Sequence, residues 1–507
     1  MKINFTYFYG VCSLLVLQGC KTQKMMQIEQ RPNIIYVYPD QFRNSAMEFW
    51  GEEGFREKVN FRNDPVVTPN LNKFARESLV LTSAMSNNPL SSPYRGSLLT
   101  GMYPNKSGVP INCSNHRVVS SLRKDVECIA EVLGKAGYDC AYFGKEHFEH
   151  IPSAGKYANF TPSDSERIRF GFNYWYSNYG GNRHKFPRYV DTEGTSHKVN
   201  EWSPLHEAKQ IAAYLRNDGN VRDSKKPFFI MLSMNPPHSP YNSLNDCMEE
   251  DYNLYKDVPL DSLLVRPNAK QDMRKAKSVP YYFASITGVD RAFGQILDTL
   301  KELDLDKNTI VVFTSDHGDT MCSHGINEPK NNPYNESMNV PFIVRFPEKI
   351  KPCVDDLILS TPDIMPTLLG MVGLSHFIPK EVQGHDYSSL FFNSKADVVR
   401  PEGALYIQNV EGEKAADGKV YTYIPTARGF KTARYTFALY MDPKTKGLKS
   451  SFLFDDVNDP YQMYNLPLRE NKEIVRTLCV KMKQVLKDIN DPWYTEGILE
   501  GLMKELE

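Results

Sequence analysis

A hydroxyl, a proline and an arginine stand close together in the run Ser91-Ser92-Pro93-Tyr94-Arg95-Gly96-Ser97-Leu98-Leu99-Thr100-Gly101. Ser is a good helix cap and Pro is favoured in a first helical turn, so a helix is expected to start here. The free N–H groups and dipole of a helix N-terminus attract an anion. Arg95 adds a planar, permanently charged fork suited to an oxyanion. A nucleophile placed at this point would face a phosphate- or sulfate-like group. Taken alone, the run is also what an ordinary helix cap looks like.

Four further groups of reactive side chains each follow an apolar run. They are Asp40-Gln41, Gly144-Lys145-Glu146-His147, Asn235-Pro236-Pro237-His238-Ser239-Pro240 and Asp316-His317-Gly318-Asp319, with His324, Lys330 and Glu336 farther on. One such loop means little. Four at equivalent ends of a parallel sheet would converge on one site, because ligands of α/β folds collect at the carboxyl ends of strands.

The elements that must position them follow from the pattern. Asn33 to Tyr38 is a near-continuous apolar run closed by Pro39-Asp40, as in a buried parallel strand that ends at a functional loop. Residues 140–143, 227–234 and 309–314 read as further strands. Helices are expected over 68–79 (Thr68 as cap, Pro69 at the first position), 126–136 and 279–303. This alternation implies an α/β fold, with a largely parallel sheet between helices. Residues 375–400 are less regular. Beyond them, 404–441 hold short runs rich in Tyr and β-branched residues, and a final helix covers 470–489. That end is expected to form a smaller antiparallel sheet closed by a helix.

Bulk properties narrow the class. The 507 residues suffice for one large or two ordinary domains. Sixty basic against 61 acidic residues give a net charge of −1 and no global reason to bind nucleic acid. The 29 Tyr suit a carbohydrate surface and core packing equally. Lys2 precedes an apolar run, Phe5 to Leu17, that ends Leu17-Gln18-Gly19-Cys20. Such a run is a secretory signal, too short to span a membrane. Its end resembles the bacterial lipobox, which implies lipidation of Cys20, with residues 21–30 as a polar tether. The chain is therefore expected to be exported and held by a lipid anchor in the bacterial outer membrane or periplasm. Of nine Cys, seven remain without Cys12 and Cys20, and none form a C-x-x-C pair, which argues against a zinc ribbon.

Taken together, these motifs resemble the sulfatase family of the alkaline phosphatase superfamily. The family pattern is Cys or Ser, any residue, Pro, Ser, Arg, four residues, then Thr-Gly. Here it reads Ser91, Ser92, Pro93, Tyr94, Arg95 and Thr100-Gly101, with Tyr94 in place of the usual Ser. The resemblance runs from Asn33 to about Leu466 and includes Asp459-Pro460-Tyr461-Gln462-Met463-Tyr464-Asn465-Leu466. It implies an alkaline phosphatase-like fold, with a catalytic domain over 31–385 and a C-terminal subdomain over 386–507. It also implies that Ser91 is oxidised to formylglycine by a radical formylglycine-generating enzyme.

Asp40, Gln41, Asp316 and His317, with Ser91 beside them, match the family's metal ligands. Their mostly hard oxygens suit Ca2+. Two departures stand out: Gln41 replaces a second Asp, and His317 stands where Asn is common. Arg95, Lys145 and Lys330 match the cations around the sulfate. His147 matches the residue that handles the second proton of the aldehyde hydrate. His238 matches the acid for the leaving alcohol, together with Lys330. His324 is expected either behind the site or against the substrate. Substrate contacts are sought in 151–206, where Tyr174, Trp175, Tyr176, Tyr179, Arg183, His184 and His206 lie, and in 242–275.

The function implied is removal of sulfate from a sugar, such as galactose or N-acetylhexosamine, in a mucin, glycosaminoglycan or algal polymer. A phosphodiesterase or phosphonate monoester hydrolase on the same scaffold is the alternative that His317 and Tyr94 keep open. A catalytically silent glycan-binding lipoprotein is a second; it predicts an eroded site, whereas every mapped position retains workable chemistry.

Overall fold

β1 (Asn33–Val37) is buried over its whole length and lies between β7 (Phe228–Ser233) and β8 (Thr309–Thr314), parallel to both. β3 (Asp139–Gly144) continues the sheet in parallel beyond β7. All four strands are fully buried, as apolar runs without alternation require. The computed structural model describes residues 31–150, 169–179 and 181–506. The expected signal, Cys20 lipidation and tether lie outside these residues. Pro32–Glu507 forms one compact unit.

The sheet is larger than the sequence reading. On the β8 side it gains β10 (Phe342–Arg345), β2 (Leu79–Met85), β11 (Cys353–Ser360) and the two-residue β9 (Asn339–Val340). β10 runs antiparallel to its neighbours β8 and β2, while β11 is parallel to β2. On the β3 side it gains β4 (Tyr174–Ser177), β5 (Arg188–Asp191) and β6 (Ser196–Lys198). Within the segment read as a recognition loop, 151–206, eleven described residues are therefore sheet. Tyr174-Trp175-Tyr176 are aromatic strand formers that pair in parallel with β3.

Successive β1 side chains serve opposite layers. Ile35 and Val37 join one core, Ile34 and Tyr36 the other. The first core is covered by α1 (Pro69–Arg76) and by helices Ser203–Arg216 and Val279–Glu302. The second is covered by α2 (Ser91–Thr100) and by helices Ile129–Lys135 and Ile364–Met371. Phe293 meets Phe74 and Phe313 at ring distances of 5.0 Å each, tying helix to helix and helix to sheet. Truncating such a buried ring to Ala costs about 3–5 kcal/mol.

Two helix starts differ from expectation. Thr68 precedes α1, but its hydroxyl accepts a bond from Glu48 N (2.9 Å) rather than capping. The cap comes from another helix: Asp290 accepts from Leu71 N (2.7 Å) and Asn70 N (3.2 Å). α1 ends at Arg76, because Leu79 opens β2. The Ile129–Lys135 helix starts later than read, behind a Cys128 capping box with Glu131.

At the C-terminal end, β12 (Ala404–Glu411), β13 (Tyr423–Lys431), β14 (Tyr435–Met441) and β15 (Leu448–Asp455) form an antiparallel sheet in sequence order. Helix Lys472–Asp488 packs Leu478, Met482 and Leu486 onto Leu405, Ile407 and Leu439. This sheet also braces the loops below. Ile407 N donates to Asn87 O (2.7 Å), and Tyr406 OH to Asn331 O (3.0 Å). Among the described residues, seven Cys are free thiols.

Candidate active site

The loops after β1 and β8 are clamped together. Gln41 N donates to Asp316 Oδ1 and Phe42 N to Ser315 Oγ, each at 3.0 Å. Ser315 Oγ donates in turn to Pro39 O (2.8 Å), and Ser86 Oγ to Asp316 O (2.6 Å). Gly318 permits the closest approach, since a Cβ there would lie 2.0 Å from Glu336 O. After β3, Gly144 has φ +86°, and a Cβ there would lie 2.1 Å from Ser233 O. That turn sends Lys145 inward, where Nζ lies 2.8 Å from Asp40 Oδ2.

α2 presents Ser91 from the opposite side. Leu90 is the residue before the helix, and Ser91 is its first member. The expected Ser cap is thus absent, and Pro93 is the third helical residue. The Ser91 hydroxyl points at other partners. Its Oγ lies 3.1 Å from His317 Nε2, 3.3 Å from Asp40 Oδ1 and 3.5 Å from Lys330 Nζ. Lys330 arrives on a loop pinned beside α2 by Asn331 N donating to Pro89 O (2.9 Å). Ser92 turns away and accepts from Cys113 N (2.9 Å).

Arg95, one helical turn on, is fully buried. Its Nη2 reaches Asp40 Oδ2 (3.0 Å) and Asp316 Oδ2 (3.3 Å), and its Nη1 donates to Tyr38 OH (3.2 Å) and Lys145 O (3.0 Å). Burial favours neutral carboxyls, yet the charge of Lys145, joined by that of Lys330, holds Asp40 well below the usual carboxylate range. Burial, followed by the charge of Asp40, pushes Asp316 upward. Burial, followed by Lys330, holds His317 and His238 neutral. Burial also lowers Lys330 to about 8, against the pull of Asp40.

Hydrogen bonds set the tautomers. His317 Nδ1 faces Gly318 O (3.0 Å), so Nε2 is left as an acceptor toward Ser91. His238 Nδ1 faces Ser239 O (2.6 Å), and its Nε2 faces Lys330 Nζ (2.9 Å). His147 Nε2 faces Cys113 O (3.1 Å), leaving a buried Nδ1 without a partner. Burial, with Lys145 and Arg95 nearby, lowers His147 to about 3.

The same group is suited to a metal ion. Asp40, Asp316 and His317 offer ligand atoms all within 4.8 Å of one another. Gln41 is buried, its Nε2 donates to Asp319 Oδ2, and its Oε1 has no partner. An orphaned buried oxygen beside two carboxylates is the acceptor a cation needs.

Of the four expected substrate contacts, Arg183 is exposed on the segment after β4. His184 is buried, with neither ring nitrogen hydrogen-bonded and Nδ1 3.8 Å from Asp246. Burial and then Lys145 lower it to about 3. His206 is engaged in the fold instead: its Nε2 lies 2.9 Å from Tyr176 OH, and its ring lies against Tyr189. His324 faces Glu336 Oε2 (2.9 Å) and stacks on Tyr334, with Arg266 on the same carboxylate (2.7 Å). It stands behind the Gly318 turn. Sequence reasoning did not single out Tyr38, Ser233 or Asp319. Tyr38 and Ser233 hold Arg95, and Asp319 holds Gln41 and Tyr241. Only Asp319 carried a signal, its place in the run after β8.

The sulfatase family model matches residues 32–374, and that of the N-sulphoglucosamine sulphohydrolase C-terminal region matches 324–490. An endo-4-O-sulfatase of Bacteroides thetaiotaomicron is 62% identical over 504 residues, covering 97% of this chain and 99% of that protein. An ulvan-active sulfatase of Formosa agariphila is 30% identical over 97% of this chain and 89% of its own length. A solved 4S-sulfatase structure, described under glycosaminoglycan metabolism by Bacteroides thetaiotaomicron, superposes with a TM-score of 0.91 at 63% identity. It covers 93% of this chain and 99% of that one. A Bacteroides fragilis sulfatase structure superposes with a TM-score of 0.77 at 32% identity, covering 92% and 97%. This chain belongs to the sulfatase family and is a sulfuric ester hydrolase.

Proposed function

We propose that this protein is an exported sulfatase that hydrolyses a 4-O-sulfate ester on a sugar of a sulfated glycan. In this reading Ser91 is oxidised to formylglycine by a radical maturation enzyme. Asp40, Gln41, Asp316 and His317 hold Ca2+. The leader ending at Cys20 supports export and a lipid anchor. The near-complete alignment with an endo-4-O-sulfatase supports the sulfated position.

The observation that carries the chemistry is Ser91 Oγ within 3.5 Å of Asp40, His317 and Lys330 at a buried helix start. Oxidised Ser91 supplies a hydrate hydroxyl as nucleophile and a second hydroxyl through which sulfate is released. Bound Ca2+ supplies a hard positive charge for the sulfate oxygens. Arg95 and Lys145 keep Asp40 ionised and fix it in place. Lys330 is lowered to about 8, so at neutral pH it still carries a proton for a poor sugar leaving group. His238 Nε2 faces the same ammonium and can relay that proton. His147 is held neutral, and its Nδ1 has no partner, which leaves a lone pair free to accept a hydrogen bond.

The test is sulfate release from defined 4-, 6- and 2-O-sulfated disaccharides by protein with oxidised Ser91. Release from the 4-sulfate alone is expected. Faster turnover of a matched phosphodiester would overturn the sulfatase assignment, and preference for another position would overturn the 4-O assignment. Chelation is expected to abolish release, with Ca2+ restoring it better than Zn2+.

A further inference from the structure

Gln41 is held at every polar atom but one. Its N–H donates to Asp316 Oδ1 (3.0 Å), its carbonyl accepts from Tyr282 OH (2.9 Å), and its Nε2 donates to Asp319 Oδ2. Oε1 alone is left without a partner, on a fully buried side chain. Asp319 is fully buried too, and three donors converge on it. Met321 N donates to Oδ1 (2.8 Å), while Tyr241 OH (3.0 Å) joins Gln41 Nε2 on Oδ2. Asp319 stands outside the Asp40, Asp316 and His317 cluster, so it reaches that cluster through Gln41.

An amide has two unlike ends. Its oxygen can ligate a hard cation, whereas its NH2 group only donates and is repelled by one. An Asp or Glu at position 41 would offer an oxygen whichever way it turned, but Gln41 must be turned one way. A carboxylate accepts and does not donate, so Asp319 takes Nε2 and repels Oε1. Resting on the reading of Asp40, Gln41, Asp316 and His317 as Ca2+ ligands, we propose that Asp319 is a positioning residue that fixes the Gln41 amide with its oxygen toward the ion. The run Asp316-His317-Gly318-Asp319 then supplies two ligands and the group that orients a third, on the loop after β1. An Asn at 319 would reverse the arrangement. Met321 N would keep the Asn oxygen, which leaves its Nδ2 to face position 41. Gln41 would then turn Oε1 to that donor and its NH2 toward the ion.

The test reads metal affinity rather than turnover. Ca2+ is titrated calorimetrically into chelator-stripped, full-chain protein with unoxidised Ser91, and Tm of each stripped protein is recorded. Asp319→Asn is expected to raise the Ca2+ Kd at least about tenfold, the range typical of groups that orient metal ligands. In a Gln41→Glu background the same change should cost less than about twofold, because a carboxylate needs no orienting. Equal losses in the two backgrounds would mean that only the charge of Asp319 matters, and would overturn the proposal. An unchanged Kd with a lowered Tm would make Asp319 a support of the fold alone, and would also overturn it. Should Asp319→Asn not fold by itself, Gln41→Glu/Asp319→Asn decides, since it keeps the charge and exchanges donor with acceptor. That protein should bind Ca2+ no more than about threefold more weakly than the parent, and a tenfold loss would contradict the proposal. A parent that binds no Ca2+ would refute the Ca2+ reading itself, and this role with it; a parent that binds while Asp319→Asn matches it refutes the role alone.

Discussion

Arg95 is fully buried and touches two carboxylates, a tyrosine and a backbone carbonyl, whereas Arg188 and Lys198 stand opposite each other on an outer hairpin, half-buried and exposed. The two regions solve opposite problems. A charge without water must be paired, so every cation beneath Ser91 is held by a partner before substrate arrives. A charge at the surface is screened, so repulsion there costs little. The difference separates charges fixed at buried strand ends from charges left near water on a hairpin at the edge of the sheet.

Ser91→Ala should show the largest effect. Turnover is expected to fall by about four orders of magnitude or more, with the fold retained by circular dichroism. Arg95→Met strikes the buried region through stability. It leaves Asp316 without its guanidinium and Asp40 with Lys145 alone, and urea unfolding should report a loss of about 3–5 kcal/mol. Lys330→Gln should lower kcat on a sugar sulfate by about 10²–10³-fold, and by less on an aryl sulfate whose leaving group needs no acid. Lys330 works in its protonated form and its pKa is lowered to about 8. Parent activity should therefore fall as pH rises through about 8, and Lys330→Gln should lose that alkaline limb. The Arg188→Gln/Lys198→Gln double variant should change turnover by less than about twofold, the smallest effect. If it exceeded that of Lys330→Gln, the division between the two regions would fail.

Legibility followed the same division. β1, β3, β7 and β8 are long apolar runs that end abruptly at polar loops, so both the strands and the side chains at their ends could be read. β2 could not, because Leu79 continues the apolar spacing of Leu71, Phe74 and Ala75 in α1 with no breaker between helix and strand. β9 and β10 have two and four residues, and β11 opens on Cys-Val-Asp-Asp, which hides its buried half. β4 to β6 are short and set among Gly180, Gly181 and Asn182, so they read as loop. Within the site, the charged residues stood out, but Tyr38 and Ser233 did not. Their role is to fill the hydrogen-bonding capacity of Arg95, which becomes visible only once the guanidinium is seen to be buried. Ser91 itself was found through its neighbours, for the wrong local reason: it does not cap α2, because its hydroxyl is committed to Asp40 and His317.

The most direct test of the account is to prepare samples with graded oxidation of Ser91, quantify each by mass spectrometry of the Ser91 peptide, and measure sulfate release from a 4-sulfated disaccharide. Turnover proportional to the oxidised fraction, vanishing with it and absent in Ser91→Ala, is the predicted result. Full-rate sulfate release by protein whose Ser91 is wholly unoxidised would contradict it.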